Sequence, residues 1–190
     1  DGPLPFDQVF PLLIQLLQAL AFIHARRYVH RDVKAANVLV SGDGVLKLMD
    51  FGLMASLTGF VGDERLAGTP ATMAPEIVRG LPPTEGTDLY AVGCLAHQLV
   101  TGHLPFQGTL RDVLRHHVGT PPPALKPGRP DVPAVLEAIV TRLLAKDPRA
   151  RYAQAADVIE DLSELTGVRL ARHTPEQKRR YLAPLLNNDI

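Results

Sequence analysis

The sequence predicts a mainly α-helical domain that also contains one or two short β-hairpins. Apolar residues recur at helical spacing over residues 6–27, and residues 86–101 are apolar on almost every side, which is typical of a central buried helix. Two short apolar runs flank an Asp43-Gly44 dipeptide, which is a common hairpin turn. With 190 residues, 46% of them hydrophobic, the chain can bury the core of one domain.

The first half of the chain is predicted to contain one long helix and one hairpin. We place the helix at residues 6–27, with Pro11 as a candidate kink. The hairpin strands are placed at residues 37–40 and 45–48. Residues 50–74 show little periodicity and are predicted to form an exposed loop.

The second half is predicted to be helical apart from one long connection. Apolar periodicity places its helices at residues 86–101, 109–118, 135–145 and 153–165. Six prolines within residues 119–133 predict an irregular loop there. The composition becomes more polar and basic after Gly167. We therefore expect residues 1–166 to form the domain and residues 167–190 to be a linker or the start of a following domain.

Charge and cysteine content exclude several classes of protein. The 20 Lys and Arg residues balance 20 Asp and Glu residues, so the basic excess of a nucleic-acid-binding protein is missing. The single cysteine, Cys94, builds neither a disulfide framework nor a multi-cysteine zinc site. Polar residues interrupt the apolar stretches, and no leader pattern stands at the start. We expect a cytoplasmic protein with no membrane span in this chain.

The adjacent residues His116 and His117 leave a metal site open as an alternative. No third ligand follows at a suitable spacing, so a solvated helix end is the favoured interpretation. Cys94 lies within an apolar helix and is interpreted as an inert core residue.

Most of the residues that could take part in catalysis or bind a metal ion lie in two short segments. These are His30-Arg31-Asp32-Val33-Lys34-Ala35-Ala36-Asn37 and Asp50-Phe51-Gly52. The predicted hairpin starts at Asn37 and ends just before Asp50, so it brings these two side chains together. An amide oxygen and a carboxylate are ligands that Mg²⁺ prefers. Asp32 is then placed to orient a hydroxyl group and accept its proton, and Lys34 to direct a positive charge at a phosphoryl group.

Six short motifs follow one another along the chain. They are His-Arg-Asp-x-Lys-x-x-Asn at 30–37, Asp-Phe-Gly at 50–52, Gly-Thr-Pro at 68–70, Ala-Pro-Glu at 74–76, Asp88 with Gly93, and Asp147-Pro148-x-x-Arg151. Together they resemble the C-terminal lobe of a eukaryotic-type (Hanks-type) serine/threonine protein kinase, of the kind also found in bacteria. The resemblance covers about residues 4–165 and implies a protein-kinase-like large lobe without the N-terminal lobe.

The resemblance implies a domain that uses ATP and Mg²⁺ to phosphorylate serine or threonine hydroxyls of protein substrates. By this resemblance Asp32 is the catalytic base, and Lys34 is the cation that stabilises the transition state. Lys34 also points to serine and threonine rather than tyrosine as acceptors. Asn37 and Asp50 would hold Mg²⁺, and Leu39 would form the floor under the adenine ring.

Other residues receive structural roles from the same resemblance. His30 and Phe51 would form the lower part of a stacked regulatory spine that is anchored to Asp88. Glu76 and Arg151 would form a buried ion pair that fixes the end of the activation segment.

The segment after the hairpin resembles an activation loop. Arg31 would pair with a phosphate on this loop, and Ser56 and Thr58 are the candidate phosphorylation sites. Thr69 would hydrogen-bond the catalytic aspartate and lysine and shape the acceptor site. Thr72 departs from the pattern, because the family usually has Tyr at this position.

The upstream half of a kinase ATP site has no match in the chain. The family needs a Gly-x-Gly-x-x-Gly loop, a strand lysine and a helix glutamate ahead of the catalytic loop. No Lys precedes Lys34, and the first Glu is Glu64, so we expect a fragment that lacks the N-terminal lobe and is inactive alone. Two alternatives are a pseudokinase-like or lone-lobe interaction module, which the intact motifs disfavour, and a small-molecule phosphotransferase, which the motifs at 68–70 and 74–76 disfavour.

Overall fold

The computed structural model describes residues 2–57, 68–127 and 129–166. In this part of the chain the helices are α1 (Phe6–His24), α2 (Pro75–Val78), α3 (Glu85–Thr101), α4 (Leu110–Gly119), α5 (Ala134–Leu143) and α6 (Ala155–Thr166). The strands are β1 (Tyr28–Val29), β2 (Val38–Val40), β3 (Leu46–Leu48) and β4 (Ala55–Ser56). The predicted mainly α fold is confirmed, whereas the predicted linker at residues 167–190 lies outside the described residues.

Helix α1 ends at His24, three residues before the predicted boundary at residue 27. Arg27 has a left-handed φ of 65°, which turns the chain out of the helix and into β1. The helix continues through Pro11. Its apolar face packs against α3 and α6, and the buried residues on this face include Val9, Leu13, Leu16, Leu17 and Leu20.

By length and composition alone α1 could cross a membrane, and it is the one helix in the described ranges for which this holds. One such helix is weak evidence for a membrane span, and the expectation of no span in this chain stays a prediction. Because the apolar face of α1 is buried against α3 and α6, the packing of a core helix accounts for its composition.

Helix α3 runs through the centre of the domain, as its apolar residues on every side predict. At its start the N–H of Thr84 donates to Oγ1 of Thr87 at 3.0 Å. It ends at Gly102, whose φ of 81° is a conformation that glycine adopts without strain. Burial raises the pKa of the Cys94 thiol to about 12, which agrees with an inert core cysteine.

Gly93 lies where α3 comes closest to the end of α5. A Cβ atom at Gly93 would stand 2.9 Å from Cβ of Leu143 and 3.0 Å from Cγ of Leu144. We expect Gly93→Ala to destabilise the domain by about 1–3 kcal/mol through overpacking, although alanine is the better helix former. Urea unfolding measures the change, with Gly119→Ala as the matched control, because a Cβ at Gly119 meets nothing within 4 Å. Equal stability of the two variants would contradict this close packing.

The predicted hairpin is confirmed, since β2 and β3 pair antiparallel with Val38 opposite Leu48. A second pairing was not predicted: β1 pairs antiparallel with β4, with Tyr28 opposite Ser56. Both of these strands contain two residues, so they show no alternation of apolar and polar side chains that a sequence could reveal.

The prediction of one exposed loop over residues 50–74 is only partly right: Asp50, Gly52 and Met54 are exposed, but other described parts are ordered or buried. Strand β4 lies inside this range. Thr72, Met73 and Ala74 are buried, and a single-turn 3-10 helix, Pro70–Thr72, precedes Met73. Local periodicity does not reveal this burial, because helices α3 and α4 pack on the turn from other parts of the chain.

The prediction of a solvated helix end at His116 and His117 is wrong for His117. Its side chain is wholly buried and contacts Tyr90 of α3. Within the described ranges no group of three or more His, Cys, Asp or Glu side chains is arranged to hold a metal ion.

Candidate active site

One carboxylate holds the loop between β1 and β2 against the central helix. Asp88, which is buried on α3, accepts hydrogen bonds from the backbone N–H groups of His30 and Arg31, both at 2.8 Å. The Nε2 atom of His24, in the last turn of α1, lies 2.8 Å from the same carboxylate. Arg31 has a left-handed φ of 71°, a strained conformation that these contacts maintain. The positions of the following loop residues are thereby fixed.

His30 links this loop to the end of the hairpin. Its Nδ1 accepts from the N–H of Asp32 at 3.3 Å, so the ring proton lies on Nε2, which donates to the carbonyl of Met49 at 3.0 Å. The rings of His30 and Phe51 meet edge to face, with centroids 5.4 Å apart. The structure thus joins His30 to both Phe51 and Asp88, and the regulatory role of this stack stays a prediction.

The buried carboxylate of Asp32 accepts four hydrogen bonds. Its Oδ1 accepts from the N–H of Thr69 at 3.1 Å and from the Thr69 hydroxyl at 2.6 Å. Its Oδ2 accepts from Nδ2 of Asn37 at 2.9 Å and lies 2.7 Å from Nζ of Lys34. The same Nζ donates to Oγ1 of Thr69 at 2.6 Å. The structure therefore brings Asp32, Lys34 and Thr69 into mutual contact.

These donors determine the ionisation of Asp32. Burial raises the pKa of this carboxyl group, but the hydrogen bonds from Lys34, Thr69 and Asn37 outweigh burial and hold the pKa below its ordinary value of 3.8. Asp32 is therefore ionised at neutral pH. Because a carboxylate offers about four lone-pair sites, all of its accepting capacity is already in use.

Asn37 and Asp50 lie next to each other at the end of the hairpin. The N–H of Met49 donates to the carbonyl of Asn37 at 2.7 Å, which extends the pairing of β2 with β3. Nδ2 of Asn37 donates to the carbonyl and the carboxylate of Asp32, so its Oδ1 is the atom left for a cation. Oδ1 of Asp50 accepts from the N–H of Gly52 at 3.2 Å. Two such oxygen ligands fit Mg²⁺, which completes its shell with water and phosphate oxygens.

An exposed apolar surface adjoins these groups. Leu39, on β2, is 53% exposed, and Val40, Met49 and Met54 are exposed as well. Exposed apolar side chains beside these groups are available for contact with a ligand or another protein surface. The floor role suggested for Leu39 is compatible with this exposure.

Glu76 and Arg151 form a bidentate ion pair. Nη1 and Nη2 of Arg151 donate to Oε1 and Oε2 of Glu76, both at 2.8 Å, and both side chains are buried. The Thr87 hydroxyl donates to Oε1 of Glu76 at 2.9 Å, and Nη1 of Arg151 also donates to the carbonyl of Gly86 at 2.8 Å. The pair therefore ties α2 to α3 and to the segment that leads into α6.

Comparison with known protein families identifies the family of the chain. The model of the protein kinase domain family matches residues 2–162. The chain belongs to the protein kinase family. The fold is that of a kinase large lobe, and the bacterial Hanks-type resemblance is confirmed.

Curated relatives of this kinase lobe carry the name serine/threonine-protein kinase. It is 34% identical over 166 residues to PknB of Mycobacterium leprae and 33% identical over 165 residues to PrkC of Bacillus subtilis. It is 31% identical over 172 residues to the probable PknB of Lactococcus lactis. These alignments cover 85%, 85% and 88% of the chain but 27%, 26% and 27% of the relatives. The chain thus spans about a quarter of the length of these kinases.

The residues suggested for regulation of the kinase are only partly described. Ser56 lies on β4, whereas Thr58 lies outside the described residues. Gly68 has a φ of 128°, and a Cβ atom there would lie 2.9 Å from the carbonyl oxygen of Arg31, so glycine is required where the chain returns to the catalytic loop. Phosphorylation of Ser56 or Thr58, and pairing of that phosphate with Arg31, stay predictions.

Sequence reasoning missed two residues that support the kinase site. His24 contacts Asp88, and its one signal was its place four residues after Leu20, on the apolar face of the helix. Thr87 contacts Glu76, and its place in the first turn of α3 gave no hint of that contact.

Proposed function

We propose that this lobe, completed by the N-terminal lobe of a kinase domain, transfers the γ-phosphoryl group of ATP to serine or threonine hydroxyls of proteins. The observation that carries the proposal is the Asp32 carboxylate, which Thr69, Lys34 and Asn37 surround within hydrogen-bond distance. The names of the relatives, all of them serine/threonine-protein kinases, support it.

Asp32 is the base that orients the acceptor hydroxyl in this proposal. Since its accepting sites are full, the incoming hydroxyl takes the place of one donor. Lys34 is the donor that can move away, because its side chain is 27% exposed, whereas Asn37 is buried and one Thr69 donor is a backbone N–H. Lys34 then faces the phosphoryl group and neutralises charge there.

The transfer forms a bond between the acceptor oxygen and phosphorus and breaks the bond between phosphorus and the departing ADP oxygen. The proton of the hydroxyl passes to Asp32. Because the pKa of Asp32 lies below its ordinary value, this carboxylate is a weak base. A weak base suits a loose transition state, in which little bonding to the nucleophile has developed.

Asn37 and Asp50 are the residues that would hold Mg²⁺ in this lobe. When bound, the cation supplies positive charge that neutralises the oxygens of the β- and γ-phosphates. Asn37 also bonds to Asp32, so the residue that would hold the metal is linked directly to the base. Leu39 and its exposed apolar neighbours would give the adenine ring one wall.

The rest of the ATP site needs groups that the chain does not contain ahead of its catalytic loop. No Lys precedes Lys34, and no Glu precedes Glu64. We place the contact with an N-terminal lobe on the exposed apolar surface around Leu39, Met49 and Met54. A lone-lobe interaction module would use the same surface. Measuring the phosphotransfer activity of the completed domain therefore distinguishes a kinase from an interaction module.

We expect the 190-residue chain alone to bind ATP weakly and to transfer no measurable phosphate, whereas the chain joined to an N-terminal lobe phosphorylates casein. Phosphoryl transfer depends mainly on positioning and charge stabilisation, and half of a cleft supplies little of either. Calorimetry with Mg·ATP measures the binding of ATP. Transfer of a labelled γ-phosphate measures activity, and phosphoamino-acid analysis then identifies the acceptor residues.

Three outcomes would count against parts of this function. ATP binding without transfer by the completed domain would favour the pseudokinase-like alternative. Label on tyrosine alone would contradict the proposed acceptors. Steady turnover by the 190-residue chain would contradict the need for an N-terminal lobe.

A further inference from the structure

A buried polar cluster joins three helical segments and has no part in the proposed mechanism. Tyr90 on α3 and His117 on α4 have no exposed surface, and the Tyr90 hydroxyl lies 2.8 Å from Nδ1 of His117. Nζ of Lys146, just beyond α5, lies 3.3 Å from the same hydroxyl and donates to the carbonyl of His116 at 3.1 Å. Polar groups this deep are costly to bury unless they are bonded, so their arrangement needs an explanation.

The chemistry of the three groups determines which of them donates and which accepts each hydrogen bond. A lysine ammonium only donates, so the oxygen of Tyr90 accepts from Lys146 and the Tyr90 hydrogen is free for His117. Nδ1 of His117 is then unprotonated, which places the ring proton on Nε2. Burial, followed by the charge of Lys146, lowers the pKa of His117 to about 4. The ring therefore stays neutral at physiological pH.

The His117 ring lies close to the turn that follows Thr69. Its buried Nε2 has no hydrogen-bond partner among the described residues. Burial dominates the pKa of the ring, but the backbone of Ala71 and Pro70 acts against it and raises the pKa, as carbonyl oxygens near an N–H do. Helix α4 also packs directly on the turn Pro70–Thr72.

We propose that the hydrogen bonds from Lys146 to Tyr90 and from Tyr90 to His117 fix the His117 ring against the turn Pro70–Thr72 and so hold this turn in place. His117 is then a positioning residue for the protein substrate. The turn that it holds begins directly after Thr69, which is the residue bonded to the catalytic carboxylate. The assignment of the substrate rests on the function proposed above, whereas the positioning of the turn does not.

Amide exchange in the 190-residue chain tests the positioning without any need for activity. The N–H groups of Thr72 and Met73 close the turn by donating to the carbonyls of Thr69 and Pro70, so their exchange rates report on its order. We expect Tyr90→Phe, which removes only the central hydroxyl, to speed exchange of these two amides by about 5- to 30-fold, the factor for one lost buried hydrogen bond.

The matched control is Tyr152→Phe. It removes the hydroxyl of another buried tyrosine, which donates to Asp161 at 2.6 Å and takes no part in the cluster. The two amides of the turn should keep their exchange rates in this variant. Equal acceleration in the control and in Tyr90→Phe would mean general destabilisation and would overturn the proposal.

Two substitutions of His117 separate the two nitrogens of its ring. His117→Gln keeps an amide donor near the position of Nε2, whereas the shorter His117→Asn keeps its amide near the position of Nδ1 and places no donor at Nε2. We expect slow exchange to be largely retained with Gln and lost with Asn. Nitrogen NMR of the unaltered chain should find the ring proton on Nε2, and a proton on Nδ1 would overturn the proposal, as would fast exchange with Gln and slow exchange with Asn.

In the kinase completed with an N-terminal lobe, His117→Asn should raise the KM for the protein substrate by about 5- to 30-fold and leave the KM for ATP unchanged. Equal changes in both constants would contradict a role in positioning the substrate. If the completed domain transferred no phosphate, the proposed function would fail, while amide exchange would still decide whether His117 holds the turn.

Discussion

Replacing Asp32 by Asn is expected to lower the turnover of the completed kinase by about 10²–10⁴-fold, the range for loss of a positioned acid–base group. The structure adds a second reason for a large effect. Four donors converge on this carboxylate, and an amide has only one oxygen to offer them. In either orientation its NH₂ group faces the donors of Thr69 or those of Lys34 and Asn37. The variant therefore loses the base and disturbs the groups around it.

Steady-state kinetics with a protein substrate measure this loss, with Asp131→Asn as the matched control. Asp131 is an exposed aspartate that pairs with Arg129, so its variant should keep full turnover. The KM for ATP should change only modestly in the Asp32 variant, whereas Asp50→Asn should raise it strongly, because Asp50 is a proposed metal ligand. Near-normal turnover of the Asp32 variant would show that another group is the base.

The low pKa of Asp32 determines the pH range in which this carboxyl group is ionised. The pKa is held below its ordinary value of 3.8, so Asp32 is ionised throughout the neutral and mildly acidic range, as the proposed base must be. Because the folded-state pKa is lowered, the stability that Asp32 contributes is fully present above its ordinary pKa and is lost as the pH falls through the folded value.

The catalytic loop was accessible to sequence reasoning because its geometry is set locally. A hairpin of two short strands determines that Asn37 and Asp50 lie close together, and its turn residues are visible in the sequence. The hydrogen bonds from Thr69 to Asp32 were predicted only through the resemblance to kinases. Composition and spacing alone would not have placed these two residues in contact.

The features that sequence reasoning missed depend on contacts between distant segments. Strands β1 and β4 have two residues each, and no local pattern marks them. His117 follows another histidine near the end of a polar helix, a pattern that indicates a solvated position, yet its side chain is completely buried and contacts Tyr90 of α3. A helix shows which of its faces is apolar, but a single buried histidine becomes visible only when its partner, here Tyr90, is in place.

Removing either partner of the Glu76–Arg151 pair is expected to destabilise the lobe by about 3–5 kcal/mol, because each single variant leaves a buried charge without its partner. Arg151→Ala should be at least as damaging as Glu76→Ala. Besides Glu76, Arg151 donates to the carbonyls of Ala145 and Gly86, and the truncation leaves these without that donor.

A double-mutant cycle in urea unfolding measures the coupling between Glu76 and Arg151. The double variant should lose less than the sum of the two single variants, since no unpaired charge remains in it. The matched control is the exposed pair of Asp112 and Arg115, in which Arg115 is 72% exposed, and Arg115→Ala should change stability by about 1 kcal/mol or less. Additive losses at Glu76 and Arg151 would mean that the two residues do not stabilise each other. A large coupling would show that the segment from Thr69 to Glu76 is fixed to the helical core at its Glu76 end, opposite the bonds between Thr69 and Asp32.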